Sequence, residues 1–193
     1  MNSDRFAHTK YLVRRKVLKL FGGAFHIYGP DGALCFYSRL KAFKLREDIR
    51  LYTGEDLREE VLLIQARQII DFSAAYDVLD PAAGRKVGAL KRRGWRSLLR
   101  DEWIVMDAED REIGVIREEH MLLALLRRFL TNLIPQRFIA EVGGKPVCEY
   151  RQMFNPFVLK LAVDFTPDTA GVYDRRLGLA AAVLLSAIEG RQN

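Results

Sequence analysis

Histidine and cysteine are both scarce in this sequence, with three and two among 193 residues. His8, His26 and His120 stand apart from one another and from the cysteines, so no pair has metal-ligand spacing and no zinc site is expected. His26 lies in a strand pattern, where a packed or solvent-facing side chain is expected rather than a base. Cys35 and Cys148 are too few for a disulfide framework. Both sit among apolar neighbours and read as reduced, buried thiols, with a single bridge between them as the alternative. No GxSxG or HExxH occurs, and Gly22-Gly23 is not followed by the Lys-Ser or Lys-Thr of a phosphate loop. The neighbouring acids Asp101-Glu102 and Glu118-Glu119 would point to opposite faces of a strand. Nothing here assembles a nucleophile, a base and an oxyanion donor. No catalytic residue, metal or cofactor is therefore assigned, and a non-enzymatic protein is expected. The first fifteen residues, MNSDRFAHTKYLVRR, lack the apolar core and small-residue cleavage site of a secretory signal, which favours a cytoplasmic setting.

A long hydrophobic run is also missing. The longest apolar stretch, LGLAAAVLLSAI at 177–188, would rise only about 18 Å as a helix, whereas a bilayer core needs roughly 20 apolar residues. No transmembrane span is expected. The helix should start after Asp174, which can cap it, and run to about Glu189, with Gly190 as its C-cap. It has no polar face, so it must be enclosed on all sides. Small residues at 178, 180–182, 186 and 187 would let surrounding strands approach its axis.

The material to surround it is present. Four hairpin patterns recur: FHIY-GPDG-ALCFY (25–37), YDVL-DPAAG-RKVGAL (76–90), WIVM-DAED-REIGVI (103–116) and FIAEV-GG-KPVCEY (138–150). Each is a β-branched or aromatic run, a turn of Gly, Asp or Pro, and a second run. Residues 11–18 and 157–165 add two strand candidates, the second alternating Leu159, Leu161, Val163 and Phe165 with wetter positions. Residues 60–72 read as two short strands bent near Ala66 and Arg67. Residues 120–134 place Leu122, Leu125, Leu126, Phe129, Leu130 and Leu133 on one stripe, an amphipathic helix stopped by Pro135. The expectation is one mainly β domain over 1–193, with ten or more antiparallel strands closed round the terminal helix, which would also remove exposed sheet edges.

The hairpins at 76–90 and 103–116, the basic link 91–100, the apolar segment 121–134, the strand at 157–165 and the closing helix 174–188 together resemble the tubby C-terminal-like superfamily. Within it, they are most similar to the LURP-one-related and phospholipid-scramblase-like branch. The resemblance covers about residues 8–190 and implies a twelve-stranded barrel wrapped around a hydrophobic C-terminal helix, with an affinity for phospholipid head groups. The chain departs from the scramblases in having no long Pro-rich N-terminal segment, no Cys-dense lipidation stretch and no acid-rich calcium loop before the last helix. Asp164, Asp168 and Asp174 lack calcium-loop density. It also lacks a placeable counterpart of the tubby lysine–arginine pair, so no functional residue is carried over.

Charge supplies the candidate sites. Net charge is +6, but it comes in blocks. Residues 85–100 hold seven Lys or Arg and no acid, while 101–119 hold eight acids and two bases. The best candidate is Lys91, Arg92, Arg93, Trp95, Arg96 and Arg100, on a loop or short helix after the second hairpin. Its cations could pair with phosphate oxygens while Trp95, Leu98 and Leu99 enter a membrane interface. The plainer reading is that Trp95 and Leu98 cover the barrel and the arginines pair with Asp101 and Glu102. Arg14, Arg15, Lys16 and Lys19 form a second basic cluster, whose alternation with Val13 and Val17 equally suits an edge strand guarded by charge. The sequence thus points to a binding or scaffold protein. Its expected partners are an anionic membrane met peripherally at the inner face, another phosphate-bearing ligand, or a protein. Nucleic acid, which any basic patch attracts non-specifically, is the least favoured partner because the acidic block interrupts the patch.

Overall fold

The computed structural model describes residues 3–18, 22–40, 48–67, 74–93, 102–119, 136–153 and 158–188. Within them a 3-10 turn (Ser3–Phe6) precedes twelve strands: β1 (Lys10–Leu18), β2 (Gly22–Tyr28), β3 (Leu34–Leu40), β4 (Ile49–Tyr52), β5 (Glu60–Ala66), β6 (Ala75–Asp80), β7 (Arg85–Arg92), β8 (Glu102–Met106), β9 (Glu112–Glu118), β10 (Arg137–Val142), β11 (Lys145–Met153) and β12 (Leu159–Asp164). One helix, α1 (Arg175–Ile188), follows. The strands form a closed antiparallel barrel in which sequential strands are neighbours and β1 pairs with β12. All four hairpin patterns are strand pairs: β2–β3, β6–β7, β8–β9 and β10–β11.

Several expectations need revision. β1 is no edge strand, since β2 and β12 flank it on both sides. The first of the two short strands expected over 60–72 is β5, which ends at Ala66, where the bend was expected; the second falls within 68–73, outside the described residues. The short β4 carried too few residues to show a pattern. The basic link starts later than expected, because Lys91 and Arg92 extend β7 and pair with Ile104 and Trp103. The amphipathic helix expected at 120–134 lies outside the described residues.

Alternation turns one face of every strand inward. Val13, Phe25, Ile27, Phe36, Leu62, Val78, Leu90, Val105, Ile116, Phe138, Tyr150 and Val163 form one buried cluster with Leu177, Leu179, Ala180, Val183 and Leu184 of α1. A smaller cluster of Ala89, Ile104 and Met106 occupies the outer face of β7–β8. The helix fits because of its small residues. A Cβ on Gly178 would lie 2.3 Å from the Phe165 ring, and one on Gly88 of β7 would lie 2.4 Å from the Met106 carbonyl and 2.9 Å from Leu177.

Polar contacts fix the helix at both ends. Asp174 caps its start by accepting from the Arg176 amide at 2.9 Å. The buried Asp168 carboxylate accepts from the Val172 and Tyr173 amides and from Arg175. At the other end Arg15 turns inward and its Nη1 donates to the Ser186 carbonyl at 2.8 Å. A cation there meets the negative pole of the helix dipole and satisfies a carbonyl with no partner in the helix. The barrel thus has a head, where α1 starts, and a foot, where it ends. Strand directions place the flanks of 19–21, 41–47, 68–73, 94–101, 120–135 and 154–157 all on the foot rim.

Candidate functional surfaces

On the foot rim, the side chains of the first basic candidate diverge in role. Lys91 is exposed on the outer face of β7. Arg93 is committed to structure: its guanidinium donates to Glu102 at 2.6 Å and its amide to the Glu102 carbonyl. Arg117 grips the other oxygen of the buried Glu102 at 3.0 Å. The plainer reading of this cluster therefore holds for Arg93. Trp95, Arg96 and Arg100 lie outside the described residues. Elsewhere on the rim, Arg137 engages Glu119 and Glu149. Arg39 on β3 and Arg151 on β11 are exposed, and with Lys91 they have no acidic partner among the described residues.

The second basic cluster splits across the barrel wall. Arg14 points outward and Arg15 inward, where it is 7% exposed and holds the helix end. Arg15 is thus removed from any binding surface, and the reason is strand alternation. Lys16 lies in β1 opposite Ala24; its side chain and Lys19 are outside the described residues. β1 and β7 are six strands apart in either direction round the closed barrel. The two clusters stand on opposite walls and share only the foot rim.

The outer wall also carries a row that the sequence reading did not assemble. Strand register aligns Met153 with Lys160, Lys160 with Arg14, Arg14 with His26, His26 with Tyr37, and Tyr37 with Tyr52. Tyr28 joins it: its ring is parallel to His26 within 10°, and the Arg14 guanidinium lies 5.7 Å from its centroid. Tyr37 meets His26 edge-on at 5.0 Å. The His26 ring is buried, with Nε2 at 2.9 Å from the exposed Glu55 carboxylate. Local sequence could not reveal this row, because its members come from six strands and meet only through register.

Neither cysteine is poised as a nucleophile. Cys35 and Cys148 are both buried and free. Burial pushes the Cys35 thiol above its ordinary range and Asp31 adds to this, outweighing the Arg5 charge; burial likewise raises Cys148. Such thiols are poor nucleophiles at neutral pH. His8 Nε2, Asp31 Oδ1 and Cys35 Sγ converge on Gly29, each 3.1–3.2 Å from where its Cβ would be. Even so, no group of three such side chains among the described residues is disposed to hold a metal ion. No helix among the described residues is long and apolar enough to cross a membrane.

Comparison of the chain with protein-family models and with curated proteins finds no match in either. The closed barrel round a helix is nonetheless the architecture that the resemblance implied.

Proposed function

We propose that the chain is a non-enzymatic binding protein of tubby-like, LURP-one-related type, and that its foot rim recognises phosphate-bearing ligands, foremost anionic phospholipid head groups at the inner membrane face. The observation that carries this reading is the set of Arg39, Lys91 and Arg151, exposed on one rim with no acidic partner among the described residues. All three project from the outer wall near that rim, on β3, β7 and β11, four strands apart round the barrel. Each cation near an anionic leaflet contributes about 1 kcal/mol, so three suffice for weak, salt-sensitive, reversible contact. Arg92, Trp95, Arg96 and Arg100 belong to the same proposal, because the strand ends flanking 94–101 lie on this rim.

Sedimentation with phosphatidylserine-containing and neutral vesicles over a salt series tests it. The protein should pellet with the anionic vesicles alone, and less as salt rises. Lys91→Glu with Arg151→Glu should abolish pelleting while leaving the fold intact by circular dichroism. Unchanged pelleting of that variant, or equal pelleting with neutral vesicles, overturns the assignment and leaves protein scaffolding as the better reading.

A further inference from the structure

The row across β11, β12, β1, β2, β3 and β4 lies on the wall beside the rim, with Arg151 two residues from Met153 on β11 and Arg39 two from Tyr37 on β3. It spans five strand spacings, about 24 Å, and runs round the barrel rather than along it. Its composition is ordered. Lys160 and Arg14 supply positive charge with no acidic partner among the described residues at one side, and His26, Tyr28, Tyr37 and Tyr52 supply rings at the other. The Nε of Arg14 is buried without a protein hydrogen-bond partner, and no acid is paired with that guanidinium among the described residues. Glu55, on His26, and Glu60, opposite Tyr52 in register and held by Arg50, are acids that touch the row.

We propose that this row is a binding platform for single-stranded nucleic acid, with phosphates on Lys160 and Arg14 and bases stacked on the tyrosine rings. Curvature decides between the possible occupants. A circumferential stripe on a convex wall meets a flat bilayer along one or two strands only, so a membrane could not use both its halves. A flexible single strand can follow the curve. A duplex hides its base faces, whereas unpaired bases offer them to aromatic side chains, each stack being worth a substantial part of the affinity. Cations at one side of the row and rings at the other let a single strand lay its phosphates on the first and its unpaired bases on the second. Glu55 would oppose the polymer electrostatically and so set an upper limit on affinity.

Fluorescence anisotropy with a labelled oligothymidylate, its duplex form as competitor, and a salt series would test the platform. The single strand should bind and the duplex should compete poorly. Tyr52→Leu and Tyr37→Leu should each weaken binding about tenfold. Lys160→Ala, at a side chain with no acidic partner among the described residues, should lower the slope of log affinity against log salt by about 0.7. Glu55→Gln, which keeps a hydrogen-bonding group for His26, should tighten binding. The single rim variant Lys91→Glu, on β7 six strands from β1, should weaken pelleting with anionic vesicles yet retain single-strand binding, which separates this proposal from the vesicle result. Absence of binding, equal competition by duplex, or tyrosine variants with wild-type affinity would each overturn it. Displacement of the oligonucleotide by anionic vesicles, with no dependence on Tyr37 or Tyr52, would overturn it in favour of a lipid surface.

Discussion

Arg15 shows how one residue's meaning depends on its partners. In the sequence it is one of three adjacent bases, and nothing local tells it from Arg14. Alternation sends Arg14 to the wall and Arg15 to the end of α1, where it donates to Ser186 and lies over the Phe25 ring. Arg15→Met should therefore cost about 1–3 kcal/mol in denaturant unfolding by leaving buried carbonyls unpaired. Arg14→Met should cost clearly less. Gly178 makes the opposite case, a residue whose lack of a side chain is what matters. Alanine would improve helix propensity by about 1 kcal/mol, but its Cβ would strike Phe165, which is held between Arg175 at 4.5 Å and Tyr173 at 6.1 Å. Overpacking of this kind costs about 1–3 kcal/mol, so Gly178→Ala should lower the melting temperature.

Acid sensitivity also belongs to particular residues. Burial alone would raise the Asp77 carboxyl, but hydrogen bonds and charge from Arg67 and Lys86 outweigh it and hold it below the usual carboxylate range. Hydrogen bonds from Lys86 and then Arg67 lower Asp110 in the same way. A carboxyl whose folded value is depressed contributes stability above its unfolded value and loses that contribution as pH falls through the folded one. Stability should therefore decline below about pH 4. The double variant Asp77→Asn, Asp110→Asn should show a shallower decline over that range in urea titrations.

At the scale of elements, the terminal helix was the most legible feature, because an all-round apolar segment too short for a bilayer leaves few alternatives. Asp174 was legible as its cap, since an acid just before an apolar run is a strong start signal. The four hairpins were legible through their turns. β4 was not, because Ile49-Arg50-Leu51-Tyr52 is too short to stand out, although Ile49 and Leu51 are fully buried. β7 was read short because Lys91 and Arg92 look like a linker; their strand character comes from pairing with β8. The same limit explains the candidate surfaces. The rim candidate was a contiguous run and could be seen, whereas the platform joins residues from Arg14 to Lys160. Removing the helix by stopping the chain after Tyr173 should abolish cooperative unfolding, because every wall of the barrel packs its inner face on α1 or on side chains that do. A truncated chain that melts at the intact temperature would contradict this architecture.

At the scale of the whole molecule, the closed wall separates three surfaces of different chemistry. The interior holds the apolar cluster round α1, the foot rim carries exposed cations, and the β11–β4 wall carries rings and charge together. Closing the sheet removes the unpaired strand edges that would invite aggregation. Mostly neighbouring pairings keep much of the ladder local, but the β1–β12 seam joins Lys10 to Asp164 across the length of the chain.

That seam has a consequence for biosynthesis. A growing chain that has emerged only as far as β11 possesses neither the strand that completes the circle nor the plug that fills it, so its greasy inner surface has nothing to lean on. Domain assembly must wait until residues 159–188 have cleared the ribosome, and a nascent intermediate held back by a stall would be a natural client for holding chaperones.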